Sequence, residues 1–332
     1  MDGFRPAVPP MNLVIVSPFL GDANNGNWRT ACRWQRLLAG AGRLRIVRDW
    51  PDAEAAADQA MIALHARRSA AAIAAWHARR GSHGLAVVLT GTDLHRDIAV
   101  DPAAIASLYA AQALVVLHEC GIASLPAEVR GKARVILQSA PARRAPAKTG
   151  RHLNVVAVGH LRPEKSPETL FAAARQLAGA RDIHIRHLGG VLDPALGAAA
   201  AATMADCPAY RWLGAQPHAA ARRAIQRAHL LVHPSRMEGG ANVVIEAITC
   251  GTPVLASAVD GNIGLLGADY PGYFPCGDSA ALAECLRELR RSQGAADGLL
   301  VRLRAAVAAR AELFQPSREQ AALRELVHQL AA

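Results

Sequence analysis

Short runs of Val, Ile and Leu alternate along the chain with longer, alanine-rich stretches of helical periodicity. Such alternation is typical of α/β proteins, in which each strand of a parallel sheet is followed by a helix. The apolar runs fall into two sets and predict eleven strands. The first set is Leu13–Ser17, Arg43–Arg48, Ala60–His65, Leu85–Thr90, Leu114–His118 and Arg134–Leu137. The second set is Leu153–Val158, Ile183–Leu188, His229–His233, Val254–Ser257 and Tyr273–Pro275.

The segment Pro141–Gly150 interrupts every periodic pattern and is the best candidate for a linker. A chain of 332 residues is long enough for two domains of ordinary size. We therefore expect a disordered extension at residues 1–10, a first Rossmann-like domain at 11–148 and a second at 149–316. The final helical stretch, 317–332, is a candidate to cross back to the first domain.

Composition excludes several classes of protein. The net charge of +10 could suit nucleic acid, but the Lys and Arg residues are dispersed and only 4% of residues are aromatic, few for stacking on bases. Small anionic substrates fit this excess at least as well. The sequence has neither an apolar run long enough to span a bilayer nor a signal-peptide pattern, and its six scattered cysteines form no C-x-x-C pair. We expect a cytoplasmic protein with reduced thiols and without a structural zinc.

The most informative segment lies between residues 229 and 259. An apolar run ends at Pro234, a loop follows with Glu238 and two glycines, and a helical run then carries Asn242 and Glu246, which share a helix face. A Gly-rich turn before a helix offers backbone N–H groups to an anionic phosphate. Amides flanked by carboxylates suit a ligand that is part diphosphate and part polyol, such as a nucleotide sugar. The alternative is a surface helix with two solvated acids.

The stretch from Glu238 to Glu246, followed by Gly251-Thr252-Pro253-Val254, resembles the donor motif of retaining GT-B glycosyltransferases of family 4. The resemblance implies an α/β GT-B fold, with two Rossmann-like domains facing each other across a cleft. It also implies that Glu246 contacts the ribose and that Glu238 contacts the transferred sugar. The phosphate or sugar oxygens would meet the stretch Gly239, Gly240, Ala241 and Asn242, of which Ala241 and Asn242 depart from the usual motif.

A second donor loop follows the predicted strand Leu153–Val158. Its Gly159, Arg162 and Lys165 match the G-x-L-x-x-x-K loop of the same family, whose basic residues neutralise the donor diphosphate. Leu213-Gly214 resembles the turn that borders the nucleoside base. The catalytic candidates are therefore Glu238, Arg162 and Lys165. The chain contains no D-x-D triplet, so we expect no metal and no cofactor.

Three loops of the first domain are candidates for the acceptor side. The loop from Asn24 to Thr30 is rich in amide donors and opens a helix, although it could be an ordinary turn. The second loop, His65–Ser69, could hold a phosphate-like anion, and the third, Thr90–His95, could bind a hydroxyl or assist proton transfer. Both could also be purely structural. The acceptor candidates are Asn24, Asn25, Gly26, Asn27, Arg29, His65, Arg67, Ser69, Thr92 and Asp93.

Five segments together (NGNW-R-T, IALHARRS, LTGTDLH, ILQSA and GLLGADYPGYFP) resemble the selenosugar synthases of selenoneine biosynthesis, which are family-4-type glycosyltransferases. This resemblance implies transfer of a sugar from a UDP-sugar, UDP-N-acetylglucosamine in the first instance, to selenophosphate. The partners would then be small molecules, not nucleic acid or membrane. Two alternatives stay open: an ordinary family 4 enzyme with a carbohydrate or lipid acceptor, and a non-catalytic protein that binds nucleotide sugars.

Overall fold

A computed structural model describes residues 11–20 and 26–332 of the chain. The extension expected at residues 1–10 lies outside this range, as do the acceptor candidates Asn24 and Asn25. The chain forms two compact units. The first runs to Gln138 and includes Pro316–Ala332, and the second is Ser139–Gln315. Within the described residues, no helix has both the length and the apolar character needed to cross a bilayer.

The first unit is built on six parallel strands in the order β2-β1-β3-β4-β5-β6. The strands are β1 (Leu13–Val16), β2 (Leu44–Val47), β3 (Ala60–Leu64), β4 (Leu85–Val88), β5 (Ala113–Val116) and β6 (Ala133–Val135). The helices are α1 (Gly26–Leu37), α2 (Ala70–Arg80), α3 (Ile98–Val100), α4 (Pro102–Ala110) and, at the end of the chain, α12 (Pro316–Ala331). A π-helical turn, Asp93–Asp97, leads into α3.

Both faces of this sheet are covered, which explains why its central strands are apolar throughout. Val14 and Val16 of β1 belong to a core that includes Trp50 and Trp76. Leu13 and Ile15 point to the opposite face, into a core that α1 and α12 complete. Burial of each such side chain contributes about 1.5–3 kcal/mol. The period-two alternation of the strand thus divides β1 between the two cores.

Helix α12 is held in the first unit by a buried polar contact as well as by its leucines. The carboxylate of Glu319 is almost fully buried and accepts hydrogen bonds from Arg33 Nε at 3.0 Å and Trp34 Nε1 at 2.7 Å. Both donors lie on α1. Because a buried carboxylate without a partner is costly, this contact fixes the position of α12 against α1.

The second unit repeats the architecture, with six parallel strands in the order β12-β11-β10-β7-β8-β9. Renumbered within the unit, this is the 3-2-1-4-5-6 order of the Rossmann fold, with its switch point between β7 and β10. The strands are β7 (Leu153–Val158), β8 (Ile183–Leu188), β9 (Tyr210–Trp212), β10 (Leu230–His233), β11 (Val254–Ser257) and β12 (Tyr273–Phe274). The helices are α5 (Pro167–Gln176), α6 (Pro194–Asp206), α7 (His218–Arg227), α8 (Asn242–Ile248), α9 (Asp260–Leu266), α10 (Ser279–Arg291) and α11 (Leu299–Arg310).

The α/β class predicted from the alternation is confirmed, and every predicted strand has a counterpart. One strand, β9, was not predicted. It has three residues, Tyr-Arg-Trp, and lies at the edge of its sheet next to β8. A strand this short has too few positions to show a period of two, so its apolar residues gave no signal.

Replacing Glu319 by Ala is expected to destabilise the first unit by about 2–4 kcal/mol, because Arg33 and Trp34 lose a buried acceptor. Chemical denaturation would measure the loss. The exposed Glu325 of the same helix provides the control, and Glu325→Ala should change the free energy of unfolding by less than about 0.5 kcal/mol. Equal effects of the two substitutions would contradict the role given to Glu319.

Candidate functional site

The loops that follow β7 and β10 meet at the switch point of the second unit. Because these parallel strands are neighbours, their carboxyl ends open at the same edge of the sheet. The loop after β7 brings Lys165, and the loop after β10 brings Glu238. Lys165 Nζ lies 2.5 Å from Glu238 Oε1. Two candidates that are 73 positions apart in sequence therefore form one ion pair.

Glu238 is an almost completely buried carboxylate with two cationic or polar donors. In addition to Lys165, His233 Nε2 lies 2.9 Å from the same oxygen, Oε1. Burial alone would raise the pKa of Glu238, but the charges of Lys165 and His233 and their hydrogen bonds hold it well below its usual range. The lowered pKa favours the ionised carboxylate of Glu238 in this contact with Lys165.

Two glycines that the sequence analysis did not single out allow the site loops to approach their neighbours. A Cβ on Gly261, at the start of α9, would lie 2.1 Å from the carbonyl oxygen of Glu238. A Cβ on Gly189, just after β8, would lie 1.8 Å from the carbonyl oxygen of Gly159. Any larger residue at either position would displace a candidate donor loop.

His187 of β8 also supports the loop at Gly159. This histidine is buried, its Nδ1 lies 2.9 Å from the hydroxyl oxygen of Tyr210, and its ring hydrogen-bonds the backbone of Gly159. Burial lowers the pKa of His187 to about 4. The ring is therefore neutral under ordinary conditions and acts as a structural polar contact.

Glu246, the second glutamate of the motif, lies in the middle of α8 and is mostly buried. Its Oε1 is 2.5 Å from Nε2 of His218, the first residue of α7. Its Oε2 is buried and has no hydrogen-bond partner among the described residues. One oxygen is thus held in place, and the other is a buried acceptor that no described residue satisfies. The sequence analysis missed His218, which is 28 positions away.

The other donor candidates lie around these two glutamates. Gly239, Gly240 and Ala241 connect Glu238 to α8, and Asn242 is the first residue of that helix. Because α8 has only seven residues, its dipole is weaker than the sequence argument assumed. Arg162 is partly exposed, with Nε 4.0 Å from Glu164 Oε2, and does not join the pair Lys165–Glu238. Leu213 follows β9 and is 44% exposed.

In the first unit, three acceptor candidates come together at the carboxyl ends of β3 and β4. His65 Nδ1 contacts the carboxylate of Asp93, and His65 Nε2 lies 3.1 Å from Thr92 Oγ1. Asp93 is fully buried and also accepts the N–H of Ala66 at 3.0 Å. His65 has a φ of 78°, which is unusual for a residue with a Cβ. Such backbone strain often marks a functional position.

Two further acceptor candidates point elsewhere. The hydroxyl of Ser69 is buried and donates to the carbonyl oxygen of Leu64 at 2.7 Å. Arg67 is half exposed, and its Nε lies 2.8 Å from Asp101 Oδ2. The side chains of Ser69 and Arg67 therefore make these contacts outside the cluster of His65, Thr92 and Asp93, although the backbone N–H of Arg67 donates to Asp93 Oδ1 at 3.4 Å. Gly26, Asn27 and Arg29 lie in the first turn of α1, which follows β1.

Comparison with known proteins agrees with this geometry. Residues 152–292, which contain all the donor candidates, match the family model described as glycosyl transferases group 1. No curated protein matches the chain.

Solved structures resemble the whole chain. A sucrose-phosphate synthase from Thermosynechococcus elongatus is 19% identical with a TM-score of 0.76, covering 97% of this chain and 99% of its own. Anabaena HepE, solved in complex with UDP and glucose, is 14% identical with a TM-score of 0.71, covering 95% and 99%. A glycosyltransferase from Rickettsia africae is 10% identical with a TM-score of 0.69, covering 97% and 98%. The predicted GT-B fold is thereby confirmed.

The neutral state of His187 predicts a pH dependence. An unfolded histidine titrates near 6.5, so between that pH and about 4 the unfolded chain binds a proton that the folded chain does not. Stability contributed by this group is fully present above pH 6.5 and lost as the pH falls, by roughly 3 kcal/mol at pH 4. Urea denaturation between pH 7 and 4 would measure it. His187→Gln should reduce the slope with pH, and an unchanged slope would reject the assignment.

Proposed function

We propose that the protein is a metal-independent glycosyltransferase that uses a UDP-sugar as donor. One observation carries this proposal: two buried glutamates of the predicted donor motif lie in the segment after β10, at the Rossmann switch point. One is paired with Lys165, and the other has an oxygen that no described residue satisfies. The match of residues 152–292 to group 1 glycosyltransferases supports it, as does the likeness in fold to HepE, which was solved with UDP-glucose.

The donor would be held by its charge and its hydroxyl groups. Glu246 Oε2 would accept hydrogen bonds from the ribose, because it is buried without a partner while His218 fixes the other oxygen. Glu238 would contact the transferred sugar. The amides between Gly239 and Asn242 would meet sugar or phosphate oxygens, and Leu213 would border the base.

Lys165 and Arg162 would stabilise the departing diphosphate. As the glycosidic C–O bond breaks, the electron pair stays with the diphosphate, so negative charge grows there in the transition state. A fixed cation beside that charge lowers the barrier more than it stabilises the bound donor. Lys165 is already oriented by Glu238, so little reorganisation is needed when charge develops.

We further propose that the acceptor is selenophosphate and that the enzyme forms a selenium–carbon bond. Selenium would attack the anomeric carbon as UDP departs, and hydrolysis of the selenium–phosphorus bond would release phosphate and a 1-selenosugar. The likeness to selenosugar synthases in five segments supports this acceptor. The cluster of His65, Thr92 and Asp93 is compact and polar, which suits a small anion better than a long oligosaccharide. Selenium is also a strong nucleophile, so no separate catalytic base is required.

Glu246→Ala is expected to weaken UDP binding at least about tenfold, because the ribose hydroxyls lose a buried charged acceptor. Isothermal titration calorimetry would measure the affinity. Glu288→Ala, on the surface of α10, is the control and should leave it unchanged. His218→Ala should give an intermediate loss, since Glu246 stays but loses its orientation. Unaltered UDP affinity in Glu246→Ala would reject the ribose contact.

With UDP-N-acetylglucosamine and selenophosphate, the enzyme is expected to release UDP, and His65→Gln should lower kcat/KM for selenophosphate at least about tenfold. UDP affinity should not change, which separates an acceptor effect from misfolding. A coupled assay for UDP gives both numbers. UDP release only with a hydroxyl acceptor would instead indicate an ordinary family 4 enzyme. Tight UDP-sugar binding without turnover on any acceptor would indicate a non-catalytic binding protein.

A further inference from the structure

A basic groove lies on the second unit, and neither Lys165 nor the two glutamates line it. It has a volume of about 420 Å³. One wall is the extended segment Arg144–Ala147, and the other is formed by Arg223, Gln226 and Arg227 of α7. None of these residues belongs to the proposed donor or acceptor sites.

The two walls of the groove are joined by specific hydrogen bonds. Gln226 Nε2 donates to the carbonyl oxygen of Arg144 at 2.6 Å, and the buried Arg222 donates to the carbonyl oxygen of Pro141 at 2.8 Å. Arg223 and Arg227 are four positions apart on α7, so both side chains start from the same face of the helix. The groove is thus a fixed part of the fold.

The charge of this groove is not compensated. Arg144, Arg223 and Arg227 are exposed, and no carboxylate of the described residues lies within ion-pair distance of them. The sequence contains no Asp or Glu from 129 to 163 or from 207 to 237, the two segments that supply the walls. Burial, and then the charge of Arg304, lower the pKa of the adjacent Lys148 to about 8. By contrast, Arg291 on α10 pairs with Glu284 and Glu288.

We propose that this groove binds a small anion that carries phosphate groups. Guanidinium groups bind phosphate through paired N–H donors, and three arginines line the same groove. The volume lies within the range of small-molecule sites. No aromatic residue lines the groove, so it offers no platform for stacking nucleic acid bases, which favours a compact oligophosphate over RNA or DNA. The proposal does not depend on the proposed glycosyltransferase activity.

Pyrophosphate is the probe, titrated calorimetrically at physiological salt into the full chain. The double variant Arg223→Gln/Arg227→Gln should weaken binding about tenfold or more. The matched control is Arg287→Gln/Arg291→Gln, which removes the same charge from α10 on the same unit and should bind like the unmodified protein. Both double variants keep Lys165, Glu238 and Glu246. Any pyrophosphate that binds at the proposed donor site should therefore bind equally to both variants.

Circular dichroism and thermal unfolding would establish that both double variants are folded. If both double variants bound pyrophosphate equally weakly, the affinity would depend only on the net charge of the protein, and the proposal would be wrong. An absence of pyrophosphate binding at millimolar concentration, or identical binding in all three proteins, would also overturn it. If RNA bound more tightly than pyrophosphate, and the α7 variant lost that binding, the ligand would be a nucleic acid and the proposal of a small anion would be wrong.

Discussion

The buried carboxylate of Glu238 is the constraint on which the second unit depends. A charge this deep in the protein is tolerated only beside compensating donors, which are Lys165 and His233. Lys165 comes from the loop after β7, and His233 is the last residue of β10, so the contact requires these strands to be neighbours. It also requires the backbone of Glu238 to pack closely on α9, which only Gly261 permits. The ion pair between Lys165 and Glu238 thus depends on the order of the strands, on the path of the loops and on Gly261.

The same environment separates the two glutamates of the motif. Among the described residues, Lys165 and His233 both contact Oε1 of Glu238, and the pKa of this carboxyl lies well below the usual range. Glu246 instead has one oxygen bound to His218 and one buried oxygen without a hydrogen-bond partner in the described part of the chain. The two glutamates are eight positions apart in sequence, and their different surroundings give the two carboxylates different partners. One forms an ion pair with a lysine, and the other is held by a histidine through a single oxygen.

Residues that lie near each other in sequence were predictable, and residues that tertiary packing brings in were not. The apolar runs located the strands because a strand that is buried on both faces of the sheet needs consecutive apolar residues. The spacing of Glu238 and Glu246 was equally local. Sheet and helix packing brings four further residues to the site: His187, Gly189, His218 and Gly261. The sequence around each of them shows no pattern that distinguishes it. The contacts of Ser69 were not predictable for a related reason: the chain turns at His65, which has a positive φ, and the hydroxyl of Ser69 donates to the carbonyl oxygen of Leu64.

The first unit solves the same problem of a buried carboxylate in a different way. Asp93 accepts hydrogen bonds from the backbone N–H groups of Ala66, Arg67 and Thr90 and contacts the ring of His65, and no Lys or Arg side chain of the described residues pairs with it. A carboxylate held by amides and an imidazole orients that imidazole instead of neutralising a cation. The strained backbone of His65 is held by the same contacts, since Asp93 also accepts the N–H groups of Ala66 and Arg67, the two residues that follow His65. The second unit therefore pairs its buried carboxylate with a lysine, whereas the first uses its buried carboxylate to orient an imidazole ring.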